Sequence, residues 1–208
     1  MEHPMEFRHF AAALAFGLVV VSSASVFAAE PKAKVLAVPE DPTEKAVLIG
    51  RVNTGTLVFQ LELEGAEAMW MLMEPAMGAM GPAMGGPGGA MWGEDRPAAD
   101  ERYHVEFKLD DPKSGTRVSY SKVTFEAINT TTGKKVSLIL PPMWGSSGLH
   151  YSANAVLAGD GVYAATVTAD VPMFAREMVD KALWSKPTAA SFHFKLQGGK
   201  VTEVSVID

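Results

Sequence analysis

Apolar and polar residues alternate with a period of two through most of the chain from Val47 onward. TLVFQLELEG (residues 56–65) is the clearest case, and that period sends successive side chains to opposite faces of a strand. AMWMLME (68–74) continues it, with Met69, Met71 and Met73 on one face. Further strands are predicted in YHVEFKL (103–109), RVSYSKVTFEAINT (117–130), KKVSLIL (134–140), VYAATVTADV (162–171), TAASFHFKL (188–196) and KVTEVSVI (200–207). TTGKK and QGGK read as tight hairpin connections, the second with two glycines at the turn. MFAREMVDKALW (173–184) has helical spacing instead. About seven to nine short strands, regular turn signals and one short helix predict an all-β, immunoglobulin-like antiparallel sandwich.

Two segments break the pattern. PAMGAMGPAMGGPGGAMWGEDRPAAD (75–100) is rich in Gly, Pro, Ala and Met, has no periodicity and predicts a mobile Met/Gly-rich loop. Seven methionines fall between Met69 and Met91, either as soft ligands for Cu(I) or as ordinary filler. At the other end, Arg8 precedes an apolar run from Phe10 to Val21, and Val26 and Ala28 stand at the −3 and −1 positions of a cleavage site. That is the pattern of a secretory signal peptide over residues 1–28, with an apolar run too short to span a bilayer as a mature helix. Residues 29–45, rich in Pro and charge, are expected to be a leader with at most one short strand, and residues 46–208 the folded domain.

The net charge of −6 becomes −5 once Glu2, Glu6 and Arg8 are set aside with the signal peptide. A mildly acidic chain without a basic run argues against nucleic acid as a partner. There are no cysteines, so an exported domain must rely on its core, and a metal would have to be met by His, Met and carboxylate. Serine-nucleophile, zinc-protease and phosphate-loop motifs are also missing, which argues against a hydrolase or transferase.

Three histidines remain beyond the signal peptide. Strand period puts His104 and Glu106 on one face of YHVEFKL, opposite Tyr103, Val105 and Phe107, so the pair should point away from the core. It is either a shared ligand pair or a solvated pair on a sheet surface. Met143 and His150 stand seven residues apart in PPMWGSSGLHYSANA (141–155), where GSSG allows the chain to fold back and bring them together. The plainer reading makes them a plug for the sandwich end and a turn hydrogen bond. His193 alternates with Phe192 and Phe194 and reads as a solvent-facing strand residue. Thioether suits Cu(I), imidazole accepts copper or iron, and carboxylate suits iron or manganese, so this donor set favours a copper-type site with a second role for a harder ion.

HVE in a strand, then PPMW, GLHYSAN and a strand ending ADVP, resembles the periplasmic iron-transport family of exported immunoglobulin-like proteins. The resemblance is strongest over residues 102–172 and weaker at MEP (73–75), LWSKP (183–187) and the closing strands. It implies a periplasmic, copper- and iron-binding homodimer that assists high-affinity iron uptake through an inner-membrane permease. It also implies His104, Met143 and His150 as copper ligands, with Glu106 at the second, iron-related position. The family's further His is missing from PMFAREMVDKALWSKP (172–187), where Met173 or Met178 is the substitute. No enzymatic turnover is expected, although copper-dependent ferrous oxidation is a rival. A periplasmic copper-handling protein would fit the same residues, as would an envelope sandwich of structural or interaction type with no tight metal site.

Overall fold

A computed structural model describes residues 31–73 and 91–205. The expected signal peptide and most of the Met/Gly-rich segment lie outside them. Thirteen strands follow in chain order: β1 (Ala33–Glu40), β2 (Val47–Asn53), β3 (Val58–Gly65), β4 (Met69–Met73), β5 (Met91–Asp95), β6 (Tyr103–Asp110), β7 (Val123–Asn129), β8 (Lys135–Leu140), β9 (Pro142–Gly145), β10 (Gly148–Ala155), β11 (Gly161–Ala169), β12 (Thr188–Gln197) and β13 (Lys200–Ser205). One sheet has six strands in the order β1-β13-β12-β11-β7-β8, a second has five in the order β2-β3-β6-β10-β9, and β4 and β5 form a separate hairpin. All the pairings are antiparallel.

The period-two pattern accounts for the core. Phe59, Leu61, Leu63, Val105, Phe107, Leu109 and Tyr151 of the five-stranded sheet meet Phe125, Tyr163, Val167, Phe192 and Phe194 of the six-stranded sheet. Phe107 stands edge-on to Phe59 at 5.3 Å and near Tyr151 at 6.4 Å, while Tyr163 stacks on Phe194 at 4.7 Å. Gly50 lets the sheets close: a Cβ there would come within 2.9 Å of the Ser205 side chain and 3.0 Å of the Phe192 ring. The QGGK turn is as expected, with Gly198 at φ +60° and Gly199 at φ +76° between paired Gln197 and Lys200.

Thirteen strands exceed the expected seven to nine. The leader's one allowed strand is β1, which pairs with β13; the residues from Val47 form a strand of their own, β2, paired with β3; part of the aperiodic segment supplies β5, which pairs with β4; and the stretch holding Met143 and His150 is a hairpin of two strands, β9 and β10. The expected helix at 173–184 contracts to a single 3-10 turn, Met178–Asp180. Its flanks are tied down instead: Phe174 and Trp184 pack against the core and against each other at 5.8 Å, and the Arg176 guanidinium donates to the carbonyls of Leu183 and Trp184. Tertiary anchoring at both ends outweighs the local helical pattern.

Candidate metal centre

Register decides which side chains meet on the outer face of the five-stranded sheet. Across β3, β6 and β10, Glu64 pairs with His104 and His104 with Asn154; one step along, Glu62 pairs with Glu106 and Glu106 with Ser152. Continuing the register brings His150 level with Lys108, and His150 pairs across β10–β9 with Met143. Directly opposed residues share a face, so these side chains form one polar field behind the apolar face that fills the core. The predicted direction of His104 and Glu106 is therefore observed, but not their expected solvation. His104 is 0 % exposed, His150 2 % and Glu106 5 %. The chain after β3 closes over the His104 end, where the Glu67 backbone N–H and C=O both bond the Asn154 side chain. At the other end Met69 and Met71 of β4 line a cavity with Met143, Trp144 and the indoles of Trp70 and Trp92.

Both buried imidazoles are held the same way. His104 Nδ1 lies 3.0 Å from Asn154 Oδ1, whose amide nitrogen is already donating to Glu67, so Nδ1 carries the proton and donates. His150 Nδ1 lies 2.9 Å from the Gly148 carbonyl and donates to it. Fixing the proton on Nδ1 leaves Nε2 with its lone pair exposed to the site. Each Nε2 is buried without a hydrogen-bond partner. The His104 Nε2 faces Glu67 Oε1 at 3.7 Å and the His150 Nε2 faces Glu106 Oε2 at 3.6 Å. Those gaps are too long for hydrogen bonds.

Glu106 is the hub. Its Oε1 accepts from Lys108 Nζ and from Ser147 Oγ, each at 2.8 Å, and Lys108 also reaches Glu62 Oε2 at 2.8 Å. Burial by itself would raise the Glu106 carboxyl, but the hydrogen bonds from Lys108 and Ser147, with the Lys108 charge, hold it below its ordinary range. Burial likewise acts to lower the Lys108 ammonium, and its bonds to Glu106 and Glu62 overcome that and raise it. Glu64 is pushed up by burial and by the charge of Glu106. A carboxyl whose folded pKa lies above its unfolded value loses stability as pH rises through that window. Glu64→Gln should therefore stabilise the metal-free protein at pH 7 and lose that advantage below about pH 4, near the unfolded carboxyl value, as read by thermal unfolding across pH.

The structure thus brings Met143, His150 and Glu106 side by side, with Met143 Sδ accepting from Ser152 Oγ at 3.2 Å. His104 shares their face but stands two register rows from His150, with Glu106 between. Among the described residues, one set of three carboxylate or imidazole donors lies within 4.8 Å of one another, Glu62, Glu64 and Glu106, and the two imidazoles stand outside it. Met173 and Met178 lie apart, in the β11–β12 connection of the other sheet, 84 % and 77 % exposed. His193 is on the six-stranded sheet with Nε2 3.7 Å from Glu203 Oε2. Sequence reasoning missed Glu62, Glu64 and Lys108; the signal was in FQLELEG and HVEFK, whose alternation sets all three opposite the core residues.

A family model described as Fe2+ transport protein matches residues 93–198. No curated protein matches the chain. Among solved structures, FetP of a uropathogenic Escherichia coli strain, recombinantly expressed in the periplasm, aligns at 22 % identity over 78 % of this chain and 98 % of its own, with a TM-score of 0.53. A copper-bound variant of FetP aligns at 22 % identity over 74 % and 94 %, also at 0.53. The copper-reconstituted P19 protein of Campylobacter jejuni aligns at 23 % identity over 76 % and 98 %, at 0.54. At these identities the likeness establishes the β-sandwich and leaves the site to be argued from its own geometry.

Proposed function

The chain belongs to the Fe2+ transport protein family, and from that premise we propose that it is an exported copper- and iron-binding protein of the periplasm that serves an inner-membrane iron permease. The observation that carries the reading is the matched pair of buried imidazoles, His104 and His150, each with Nδ1–H donated to an oxygen and Nε2 bare. A buried acceptor without a donor costs on the order of 1–3 kcal/mol, a cost a bound ion removes. Met143, paired with His150, adds the thioether that turns the donor set toward copper. Copper is therefore assigned to His104, Met143 and His150, with Glu106 beside it for iron or manganese. Copper-bound FetP and P19 share this fold. Copper bound there would supply a redox-active soft centre, while this chain's residues hold, orient and desolvate it. The role is binding and presentation rather than turnover.

Holding one ion with both imidazoles requires the two rings to lean toward each other over the Glu106 row. Met173 and Met178, exposed on the far connection, fit as donors only across a dimer. The exposed indoles of Trp70, Trp92 and Trp144 beside Met143 offer an apolar face for a second copy. The direct experiment is copper analysis of the metal-free mature protein after loading and removal of excess ion. About one tightly held copper per chain is expected; retention near zero at the same protein concentration would defeat the proposal.

A further inference from the structure

We propose that Glu67 is a fourth copper ligand, whose carboxylate joins His104 on the ion and makes the site prefer Cu(II) to Cu(I). The inference rests on the assignment of copper to His104, Met143 and His150 and adds a residue from the β3–β4 connection. The backbone there is strapped to the sheet. The Ala66 N–H donates to the Arg102 carbonyl at 3.0 Å, the Glu67 N–H donates to Asn154 Oδ1 at 3.2 Å, and the Glu67 carbonyl accepts from Asn154 Nδ2 at 2.9 Å. The same Asn154 Oδ1 accepts the His104 Nδ1–H at 3.0 Å. One amide therefore fixes both the ring and the residue beside it. The other ring nitrogen, His104 Nε2, lies 3.7 Å from Glu67 Oε1.

That gap is too long for a hydrogen bond and suits a shared ion. Two donors that each stand about 2.0–2.2 Å from one first-row metal ion are roughly 3–4 Å apart. His104 Nε2 is buried without a partner, and a carboxylate oxygen beside its lone pair gains nothing until a cation joins the two. Charge points to the same residue. Two imidazoles and a thioether are neutral donors, so a divalent ion held by them alone would be buried with its full charge. Glu106 is already committed, its Oε1 accepting from Lys108 and from Ser147. Among the described residues Glu67 has no lysine or arginine partner, and its side chain is 47 % exposed against 1 % for His104. The half-exposed carboxylate thus links the buried nitrogen to solvent without a counter-charge of its own. A carboxylate is a hard, anionic donor, so it favours Cu(II), whereas thioether and imidazole alone suffice for Cu(I).

The test compares Cu(II) with Ag(I), a redox-inert stand-in for Cu(I), in titrations of the metal-free mature protein at pH 7. Glu67→Gln removes the charge and leaves the backbone bonds to Asn154 in place. It should weaken Cu(II) binding at least tenfold, while Ag(I) affinity stays within about threefold of the wild type. The EPR spectrum of the Cu(II)-loaded variant should shift with its nitrogen couplings kept, because an oxygen and not an imidazole has been lost. Unchanged Cu(II) affinity in Glu67→Gln overturns the proposal. An equal fall for both ions overturns it too, since Glu67 would then support the site without discriminating between oxidation states. The two readings fail separately. Cu(II) binding that His150→Ala weakens and Glu67→Gln does not sinks the Glu67 assignment alone, whereas a wild-type protein that retains neither ion sinks the copper reading and this proposal with it.

Discussion

Replacing His150 by alanine is expected to weaken copper binding at least 10–100-fold, roughly 1.4–2.8 kcal/mol. The ring is fixed from both sides. Its Nδ1 donates to Gly148, and Gly145 gives it room: a Cβ at 145 would stand 2.9 Å from His150 Cε1, closer than real Cβ atoms come to a neighbour. Gly145→Ala should therefore lower copper affinity in the same direction without removing a donor, because the ring must turn and carry Nε2 with it. His193→Ala, on the other sheet, should leave the titration unchanged. Equal copper affinity in wild type and folded His150→Ala would remove His150 from the site.

Phe107→Ala should cost about 3–5 kcal/mol of stability, the usual range for deleting a buried aromatic. Phe107 is fully buried against Phe59 and Tyr151, so its ring ties β6 to β3 and β10. For a domain of this size each kcal/mol moves the melting temperature by about 2–4 °C, so a fall of roughly 6–20 °C is expected by calorimetry. The strand it anchors carries His104, Glu106 and Lys108 on its other face, and copper affinity should fall with stability. Phe125→Ala, in the core contribution of the opposite sheet, should lose comparable stability with little effect on copper. If both variants lost copper equally, the link between the Phe107 core and the site would fail.

The alternation in TLVFQLELEG and YHVEFKL was enough to assign the core face and the site face, because period two leaves no freedom once one face is apolar. The pairing of Met143 with His150 was legible as a fold-back across GSSG, although the strand character of PMWG was not. Burial of the outer face was hidden, since it depends on Glu67 closing over the His104 end and on Gly145 and Ser147 of the β9–β10 hairpin packing against His150 and Glu106, on a surface that local pattern reads as solvated. The contact of Lys108 with Glu106, two residues along β6, follows from the period-two pattern, but that with Glu62 was hidden, since it depends on the β3–β6 register and joins residues 46 positions apart. The aborted helix at 173–184 shows the same limit, with Phe174 and Trp184 pulled to the core against the local periodicity.

Pulsed EPR of the protein loaded with one Cu(II) per chain counts the imidazoles on the ion. Two nitrogen couplings are predicted in the wild type, falling to one in His104→Ala and to one in His150→Ala. A spectrum that His104→Ala leaves untouched would contradict a single centre shared by both rings.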